Sequence, residues 1–201
     1  MVGTVGPEVT DDAQIADAGV AGIVLWQVTM SLDGFIAGPD DALDWVMEYA
    51  GPNEAVSQVI RTTGAVLCGK RSYAVGRKPG QLPQARKVFG GAWSGPQFVL
   101  THEPVDDEED STITFLEGDI RDAVATAAQA AAGRNVLVIG ANVAAQCIEK
   151  ELIDEILVHL APVLLGEGLR FFGRHGKSID LKRVSVAQAA HVTNLRFRVV
   201  N

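Results

Sequence analysis

Three segments of the chain end an apolar, strand-like run with the kinds of residues that bind phosphate. In residues 135–142, NVLVIGAN, the run reaches Gly140 and a helical pattern begins almost at once. Glycine lets a backbone approach a ligand closely, and the free N–H groups of a helix start favour an anion. The pattern indicates a phosphate site at this turn, although a turn without a ligand fits it equally well.

Cations and a hydroxyl follow the second run. Residues 65–73, AVLCGKRSY, pass from the strand-like run into Gly69, Lys70, Arg71 and Ser72. The two side-chain cations and the serine hydroxyl can bond to phosphate oxygens. The alternative is a helix that Ser72 caps, with both basic side chains in solvent.

The third run, residues 98–102 (FVLTH), ends in Thr101 and His102, which add a hydroxyl and an imidazole. Alone, such a histidine is more often a surface residue than a ligand. Because the carboxyl ends of parallel strands lie at one edge of a sheet, we expect the three segments to meet there. One extended ligand with several phosphates would contact all of them.

The distribution of charge is compatible with an anionic ligand. The net charge is −8, yet no acidic residue lies between Glu54 and Glu103. Seven basic residues lie in that interval: Arg61, Lys70, Arg71, Arg77, Lys78, Arg86 and Lys87. Such a stretch can bind an anion without repulsion, although chance clustering on a loop would also produce it. The overall negative charge argues against nucleic acid or an anionic membrane as the main partner.

The first strand-like run leads into residues 29–38, TMSLDGFIAG, where Asp33 and Gly34 form a turn signal. The carboxylate of Asp33 either holds this turn or takes part in chemistry. Phe35 and Ile36 follow the turn and are apolar. They indicate a loop that folds over a flat, apolar group.

The remaining composition indicates a cytoplasmic protein. Cys68 and Cys147 lack the spacing of a metal site and are predicted to be buried free thiols, which fits a reducing compartment. No apolar run approaches the ~20 residues that span a bilayer. Residues 1–22 are rich in small and acidic residues and have no signal-peptide pattern, so we predict a flexible tail.

Hydrophobic periodicity predicts an α/β domain over residues 23–201. Apolar, β-branched runs predict strands at 23–29, 65–69, 97–101, 112–116, 135–139, 155–160, 184–189 and 192–200. Helical periodicity predicts helices over 53–61, 120–131 and 142–152. The alternation implies a largely parallel sheet, and the last two strands have no room for a crossover helix, so they form an antiparallel hairpin.

Several motifs, taken in order, resemble the dihydrofolate-reductase-like family. They are residues 31–37 (SLDGFIA), 43–45 (LDW), 69–73 (GKRSY), 139–141 (IGA), 152–156 (LIDEI), 162–168 (PVLLGEG) and 171–172 (FF). They are most similar to the reductase domain of the riboflavin-biosynthesis deaminase/reductase and its stand-alone relatives, over residues 23–200. The resemblance implies a three-layer α/β fold: a mixed, mostly parallel sheet with helices on both faces and a C-terminal antiparallel hairpin.

The resemblance also implies an NADPH site across the carboxyl ends of the strands. The implied cofactor-binding residues are Thr29, Ile36 and Ala37 at the nicotinamide, Gly69, Lys70, Arg71 and Ser72 at phosphates, Thr101 and His102 at the adenosine ribose and its 2′-phosphate, and Gly140, Ala141, Asn142, Val143 and Ala144 at the pyrophosphate. The implied substrate-facing residues are Ser31, Trp45, Leu165, Gly166, Glu167 and Gly168. Asp33 and Glu54 are the catalytic candidates, with Glu48 as a further candidate for water-assisted proton supply.

By the same resemblance, the chain is expected to be a homodimeric, NADPH-dependent reductase of a small heterocyclic or ribosylamino substrate, as in riboflavin biosynthesis. Two departures weaken this comparison at the cofactor, since Lys70 stands where arginine is common and Ala141 replaces a glycine. A third concerns chemistry: the first pocket-facing helix carries an aspartate in riboflavin-pathway enzymes and here offers only Asn53 and Glu54. Dihydrofolate or pteridine reduction, and NADP binding without turnover, are the alternatives.

Overall fold

An eight-stranded sheet forms the centre of the protein in a computed structural model that describes residues 22–78, 83–103, 108–173 and 178–200. The described residues form ten strands, of which all but β2 and β8 belong to this sheet. They are β1 (Val24–Ser31), β2 (Phe35–Ala37), β3 (Thr63–Gly69), β4 (Gln97–Leu100), β5 (Ile113–Leu116), β6 (Asn135–Ile139), β7 (Glu155–Ala161), β8 (Leu169–Arg170), β9 (Asp180–Ala189) and β10 (Val192–Val200). The helices are α1 (Asp44–Glu48), α2 (Glu54–Thr62), α3 (Lys70–Val75), α4 (Ile120–Ala131) and α5 (Ala141–Glu149). Of the predicted tail, residues 1–21 lie outside the described residues.

The large sheet is mixed and mostly parallel, which confirms the predicted fold class. Its order is β5-β4-β3-β6-β1-β7-β10-β9. The first six strands in this order run parallel to one another. The C-terminal hairpin of β9 and β10 pairs antiparallel and joins the sheet through β7. A parallel arrangement brings the carboxyl ends of β1, β3, β4 and β6 to one edge.

Helices cover both faces of the sheet. Successive side chains of a strand point to opposite faces, and each face buries its apolar side chains under helices. In β6, Val136 and Val138 pack with α4 and α5, whereas Leu137 packs on the opposite face with Val59 of α2. A period of two residues directs successive side chains to opposite faces. The result is three layers, as the sequence predicts.

Two helices begin at polar caps that the chain supplies locally. The Arg121 N–H donates to the side chain of Asp119, the cap that the sequence indicated for α4. The Ala55 N–H likewise donates to Asn53 Oδ1 at the start of α2 (3.1 Å). A cap of this kind satisfies a backbone donor that the helix itself leaves unpaired. In α2 the cap also fixes the orientation of the Asn53 side-chain amide, because its oxygen must face the Ala55 N–H.

Two short strands and the exposure of one cysteine differ from the sequence-based expectation. The short strands β2 and β8 pair antiparallel as a separate two-stranded sheet, with Phe35 opposite Arg170. Cys147 is buried as expected, but Cys68 is partly exposed; desolvation raises the pKa of each thiol to about 12. Within the described ranges, no helix is long and apolar enough to cross a membrane.

Candidate functional site

A cleft of about 1740 Å³ lies at the carboxyl edge of the parallel strands. This volume exceeds the ~300–1,000 Å³ usual for a small-molecule pocket, so the cleft has room for an extended ligand beside a second one. The three phosphate-compatible segments meet in it. Its lining includes every residue expected to bind cofactor except Ala144: Thr29, Ile36, Ala37, Gly69, Lys70, Arg71, Ser72, Thr101, His102, Gly140, Ala141, Asn142 and Val143.

Ala144 is the cofactor-binding expectation that the structure places elsewhere. Its side chain is fully buried in the core under α5. Its backbone N–H donates to the Gly140 carbonyl at 3.1 Å as part of the helix. The lining of the cleft therefore passes from Val143 to Ala145 without Ala144.

Gly140 joins β6 to α5 in a conformation that favours glycine. Its φ is +95° and its ψ is 142°, and a Cβ atom there would lie 2.2 Å from Ser72 Oγ. The first turns of α3 and α5 are consequently in contact. A helix start with unpaired N–H groups carries partial positive charge, so the beginning of α5 beside Ser72 can hold an anion.

Two cations at the rim of the cleft are paired with carboxylates. Lys70 Nζ lies 2.6 Å from Glu103, and Arg71 Nε lies 2.5 Å from Asp41. The Lys70 ammonium lowers the pKa of Glu103, and Asp41 raises the pKa of Arg71. The Lys70–Glu103 pair is exposed, and in the second pair the Arg71 side chain is 71% exposed; ion pairs with so much solvent contact contribute little stability. A phosphate can therefore replace the carboxylates as the partner of these cations.

Not all of the basic stretch faces the cleft. Lys78 and Lys87 line it. Arg61 pairs with Glu54, and Arg77 lies 3.7 Å from the centre of the Tyr73 ring and 3.1 Å from Glu108. The positive charge available to a ligand is therefore smaller than the sequence alone implied.

A chain of polar side chains, absent from the sequence-based expectation, lies on the α2 face of the sheet. Gln27 Nε2 is 2.7 Å from His159 Nε2, His159 Nδ1 is 2.6 Å from Asn194 Oδ1, and the amides of Asn194 and Asn53 exchange two hydrogen bonds of 3.0 Å. His159 is only 4% exposed, and desolvation lowers its pKa. Gln27 and His159 line the cleft. The available signal was a polar residue within each of two apolar strands.

Asp33 is held beside the cleft and not in it. Its carboxylate accepts hydrogen bonds from the Ser31 hydroxyl (2.6 Å) and the backbone N–H groups of Leu165 (3.1 Å) and Gly166 (2.7 Å). These donors, Ser31 first, lower the pKa of Asp33 to about 2. The geometry fits the interpretation in which Asp33 holds its turn, because an ionised, fully bonded carboxylate is a poor proton donor.

Ser31 also departs from the substrate-facing role. It is fully buried, and its hydroxyl oxygen accepts the Phe35 N–H at 2.9 Å while its proton goes to Asp33. Together, Ser31 and Asp33 tie the turn after β1 to the loop that contains Leu165 and Gly166. The four loop residues, Leu165, Gly166, Glu167 and Gly168, do not line the cleft.

Trp45 and Glu54 lie away from the cleft lining as well. Trp45 contacts Tyr49 edge to face, with ring centres 6.4 Å apart. Glu54 is paired with Arg61 at 2.6 Å, and its side chain is 80% exposed. Glu48 lies on the exposed side of α1. Neither Glu54 nor Glu48 lines the cleft.

Aromatic and apolar side chains from β1, from the segment after β8 and from the α1 region line the part of the cleft for which Trp45 and residues 165–168 were expected. Phe171, which follows β8, stacks on Trp26 of β1 with ring centres 4.4 Å apart and planes 11° from parallel. Leu43, Val46 and Met47 of the α1 region add to the apolar lining. Among the described residues, no group of three or more His, Cys, Asp or Glu side chains is arranged to hold a metal.

Solved structures with this architecture include two proteins whose descriptions refer to riboflavin biosynthesis. A protein from Shewanella sp. PV-4 described as a riboflavin biosynthesis protein superposes with a TM-score of 0.73, at 20% identity, over 89% of this chain and 99% of the other. The Saccharomyces riboflavin biosynthesis reductase Rib7 superposes with a TM-score of 0.54, at 18% identity, over 93% of each chain. Both establish the fold that the two chains share with this one.

A dihydrofolate reductase shares the fold too. The Enterococcus faecalis enzyme, solved in complex with NADP(H), superposes with a TM-score of 0.57, at 12% identity, over 90% of this chain and 99% of the other. The fold is therefore dihydrofolate-reductase-like, as the resemblance implied.

Sequence comparison gives the family. The Bacillus subtilis (strain 168) protein YwjB, described as uncharacterized, is 25% identical over 172 residues, which cover 85% of this chain and 94% of that protein. The family described as the RibD C-terminal domain matches residues 78–194, more than half of the 201 residues. The chain therefore belongs to the RibD C-terminal domain family.

Proposed function

We propose that the protein is an NADPH-dependent reductase of the riboflavin-biosynthesis type, acting on a small heterocyclic or ribosylamino substrate. The observation that carries this proposal is the convergence of three strand ends, each with phosphate-compatible groups, in one cleft of about 1740 Å³. Membership of the RibD C-terminal domain family supports it. A dinucleotide needs one extended site with several anion contacts, and this cleft offers one.

The residues of the cleft fit the phosphates of NADPH. Ser72 Oγ lies where a Cβ of Gly140 would be, so the Ser72 hydroxyl and the N–H groups at the start of α5 lie side by side, where both can donate to a pyrophosphate. Lys70 and Arg71, both at the rim, can exchange their carboxylate partners for phosphate oxygens. Charge-assisted hydrogen bonds to phosphate are the stronger class of such contacts.

The chain's own residues would orient the reactants. Bound NADPH supplies a hydride; Thr29, Ile36 and Ala37 line the part of the cleft assigned to its nicotinamide. Aligned reactants gain about 7–11 kcal/mol over a loose encounter, so orientation would supply most of the rate. None of the acids expected from the sequence, Asp33, Glu48 and Glu54, lines the cleft, and both nitrogens of His159 are hydrogen-bonded; of the expected donors, we therefore assign the proton to water.

We further propose that the protein is a cytoplasmic homodimer. The hairpin residues Leu195 and Val199 pack against the core of the monomer. Exposed apolar side chains lie instead on the edge strand β9, where Val184 and Val186 are 45% and 52% exposed. An apolar edge strand needs cover, and a second copy of the chain would supply it.

Cofactor titration followed by an oxidation assay tests the function. We expect NADPH to bind, and its absorbance to fall on addition of one of a panel of pyrimidine and pteridine substrates. Lys70→Met should weaken binding, whereas Lys150→Met, an exposed lysine at the end of α5, should not. Absence of NADPH binding would refute the proposal, and binding without oxidation across the panel would indicate a binding protein without turnover.

A further inference from the structure

The segment between β2 and α1 contacts the α3 side of the cleft at two points. Residues 39–42, here called the strap, line the cleft. Arg71 Nε lies 2.5 Å from Asp41 Oδ2, and Lys78 Nζ donates to the Asp40 carbonyl oxygen at 2.7 Å. Arg71 belongs to α3, and Lys78 follows that helix. Both cations that hold the strap also line the cleft.

The order of the strands shows what the strap spans. The strap follows β1 and β2, whereas α3 follows β3, and β6 lies between β1 and β3 in the sheet. Neighbouring strands lie about 4.8 Å apart, so β1 and β3 are separated by roughly 10 Å. Gly140 and the start of α5 lie at the carboxyl end of β6. The strap therefore joins the two sides of the cleft across the region expected to hold a pyrophosphate.

The backbone of the strap is strained at the residues that carry both contacts. Asp40 has a φ of +54° and a ψ of +30°, and the φ of Asp41 is +61°. The left-handed region is unfavourable for residues other than glycine, and such a conformation persists only where its surroundings hold it. The Gly38 N–H donates to the Ala42 carbonyl at 2.9 Å, which closes the turn on itself. We therefore expect the strap to move as a unit once its contacts with the α3 side are lost.

The exposure of the paired side chains decides which of them a ligand reaches. The Arg71 side chain is 71% exposed, whereas that of Asp41 is only 18% exposed. A ligand phosphate can therefore approach Arg71 from solvent. When Arg71 binds the phosphate, the largely enclosed carboxylate of Asp41 loses its cation, and an unpaired charge away from water is costly. The carboxylate must then move into solvent, and the strap moves with it.

We propose that the strap is an autoinhibitory latch, in which Asp41 competes with a ligand phosphate for Arg71 and the strap opens when the phosphate replaces Asp41. Opening also frees Lys78 from the Asp40 carbonyl, which gives the phosphate a second cation. A ligand without a phosphate gains nothing from Arg71 and leaves the strap closed. This inference rests on the proposed function, since it gives the regulation of the same cofactor cleft.

The affinity for phosphate compounds measures the competition. The probes are NADPH and inorganic pyrophosphate, titrated by calorimetry at low salt. Asp41→Asn removes the competing charge and should bind both probes about fivefold more tightly, the scale of one exposed ion pair. Asp44→Asn is the matched control, because Asp44 also lines the cleft but has no ion-pair partner among the described residues. It should change either affinity by less than about twofold. Wild-type affinities in Asp41→Asn would overturn the proposal.

A double-mutant cycle separates competition at Arg71 from a general effect of negative charge. Arg71→Met removes both the phosphate contact and the partner of Asp41, so it should weaken NADPH binding. Adding Asp41→Asn to this variant should then have no further effect, because the two substitutions act on one contact. A fivefold gain that persisted without Arg71 would show that Asp41 acts only through its charge, and the latch would be wrong.

The motion of the strap provides a readout that does not depend on affinity. Heteronuclear NOE values of the Asp40 and Asp41 backbone amides report motion on the ps–ns timescale. We expect high values in the free wild-type protein and lower ones in Asp41→Asn and in the wild type saturated with pyrophosphate. The amide of Ala55, which is bonded to its helix cap, should keep its value. Unchanged values for the strap under both conditions would overturn the proposal.

The two probes distinguish failure of the latch from failure of the proposed function. If NADPH binds with equal affinity to the wild type and to Asp41→Asn, only the latch fails. If pyrophosphate shows the expected dependence on Asp41 but NADPH does not bind, the latch stands and the reductase proposal fails. Binding of neither probe would overturn both.

Discussion

The Ser72 hydroxyl occupies the space that a side chain at position 140 would need, because a Cβ atom on Gly140 would lie 2.2 Å from Ser72 Oγ. This relationship joins two strand ends that are distant in sequence. It also means that position 140 is restricted twice, by the neighbouring hydroxyl and by a φ of +95°. A glycine at position 140 is therefore required for packing against Ser72, in addition to any close approach of a ligand.

Gly140→Ala should lower stability and weaken cofactor binding. The backbone strain alone costs about 1–3 kcal/mol of unfolding free energy, and the displaced Ser72 adds to it. Urea denaturation and NADPH titration measure the two effects. Gly133→Ala is the matched control, since Gly133 has a φ of +84° with nothing within 4 Å of its Cβ position. It should lose stability but keep NADPH affinity, whereas unchanged affinity in Gly140→Ala would mean that the pyrophosphate lies elsewhere.

NADPH should bind at least tenfold more tightly than NADH at low salt. The 2′-phosphate adds about two negative charges, and one charge-assisted contact of about 1.5–3 kcal/mol exceeds the ~1.4 kcal/mol that tenfold requires. Glu103→Gln should increase this preference, because it removes the carboxylate 2.6 Å from Lys70. Glu54→Gln removes a carboxylate outside the cleft and is the control. Equal dissociation constants for the two cofactors would exclude a 2′-phosphate site.

Asp33→Asn should remove part of the acid sensitivity of the fold. The Ser31 hydroxyl and two backbone amides lower the pKa of Asp33 from 3.8 to about 2. The carboxylate therefore stabilises the folded protein above about pH 4, and this stabilisation is lost as the pH falls towards 2. Thermal melting over this range measures it, with Asp180→Asn at the exposed start of β9 as the control. NADPH affinity should be nearly unchanged, and a large loss of turnover would instead indicate that Asp33 relays protons.

Light scattering should give about twice the mass of the 21.3 kDa chain at micromolar concentration. The double variant Val184→Lys/Val186→Lys places two charges on the exposed apolar edge strand and should give the mass of one chain. Leu164→Lys changes a residue that is 70% exposed outside the hairpin and should leave the dimer intact. A wild-type protein with the mass of a single chain would refute the dimer.

The sequence predicted the fold class and the meeting of three strand ends in one cleft because those features depend on local patterns. Gly69, Gly140 and the cations at Lys70 and Arg71 follow β-branched runs, and parallel topology then brings them to one edge. Strands as short as Phe35–Ala37 and Leu169–Arg170 have no period to detect. Their pairing is decided by tertiary contacts that a linear pattern does not contain.

The part of the cleft lined by Gln27 and His159 was not predictable to the same degree. Gln27, His159, Asn194 and Asn53 come from four elements, and their hydrogen bonds depend on the register of β1, β7 and β10. From the sequence, Asp33 could hold its turn or take part in chemistry. The three hydrogen bonds that its carboxylate accepts favour the first interpretation. The position of Trp45 depends on the packing of a five-residue helix, α1, which no periodicity fixes.

The central position of β1 has a consequence for biosynthesis. Its described partners in the large sheet are β6 and β7, so Val24 meets Val136 and Leu25 meets Glu155. Ribosomes add about 5–20 residues per second, so β1 waits on the order of ten seconds for its neighbours. During that interval an apolar strand with two open edges requires protection, by a chaperone or by transient collapse. An assay that follows NADPH binding during translation should see the signal appear only after β7 has emerged.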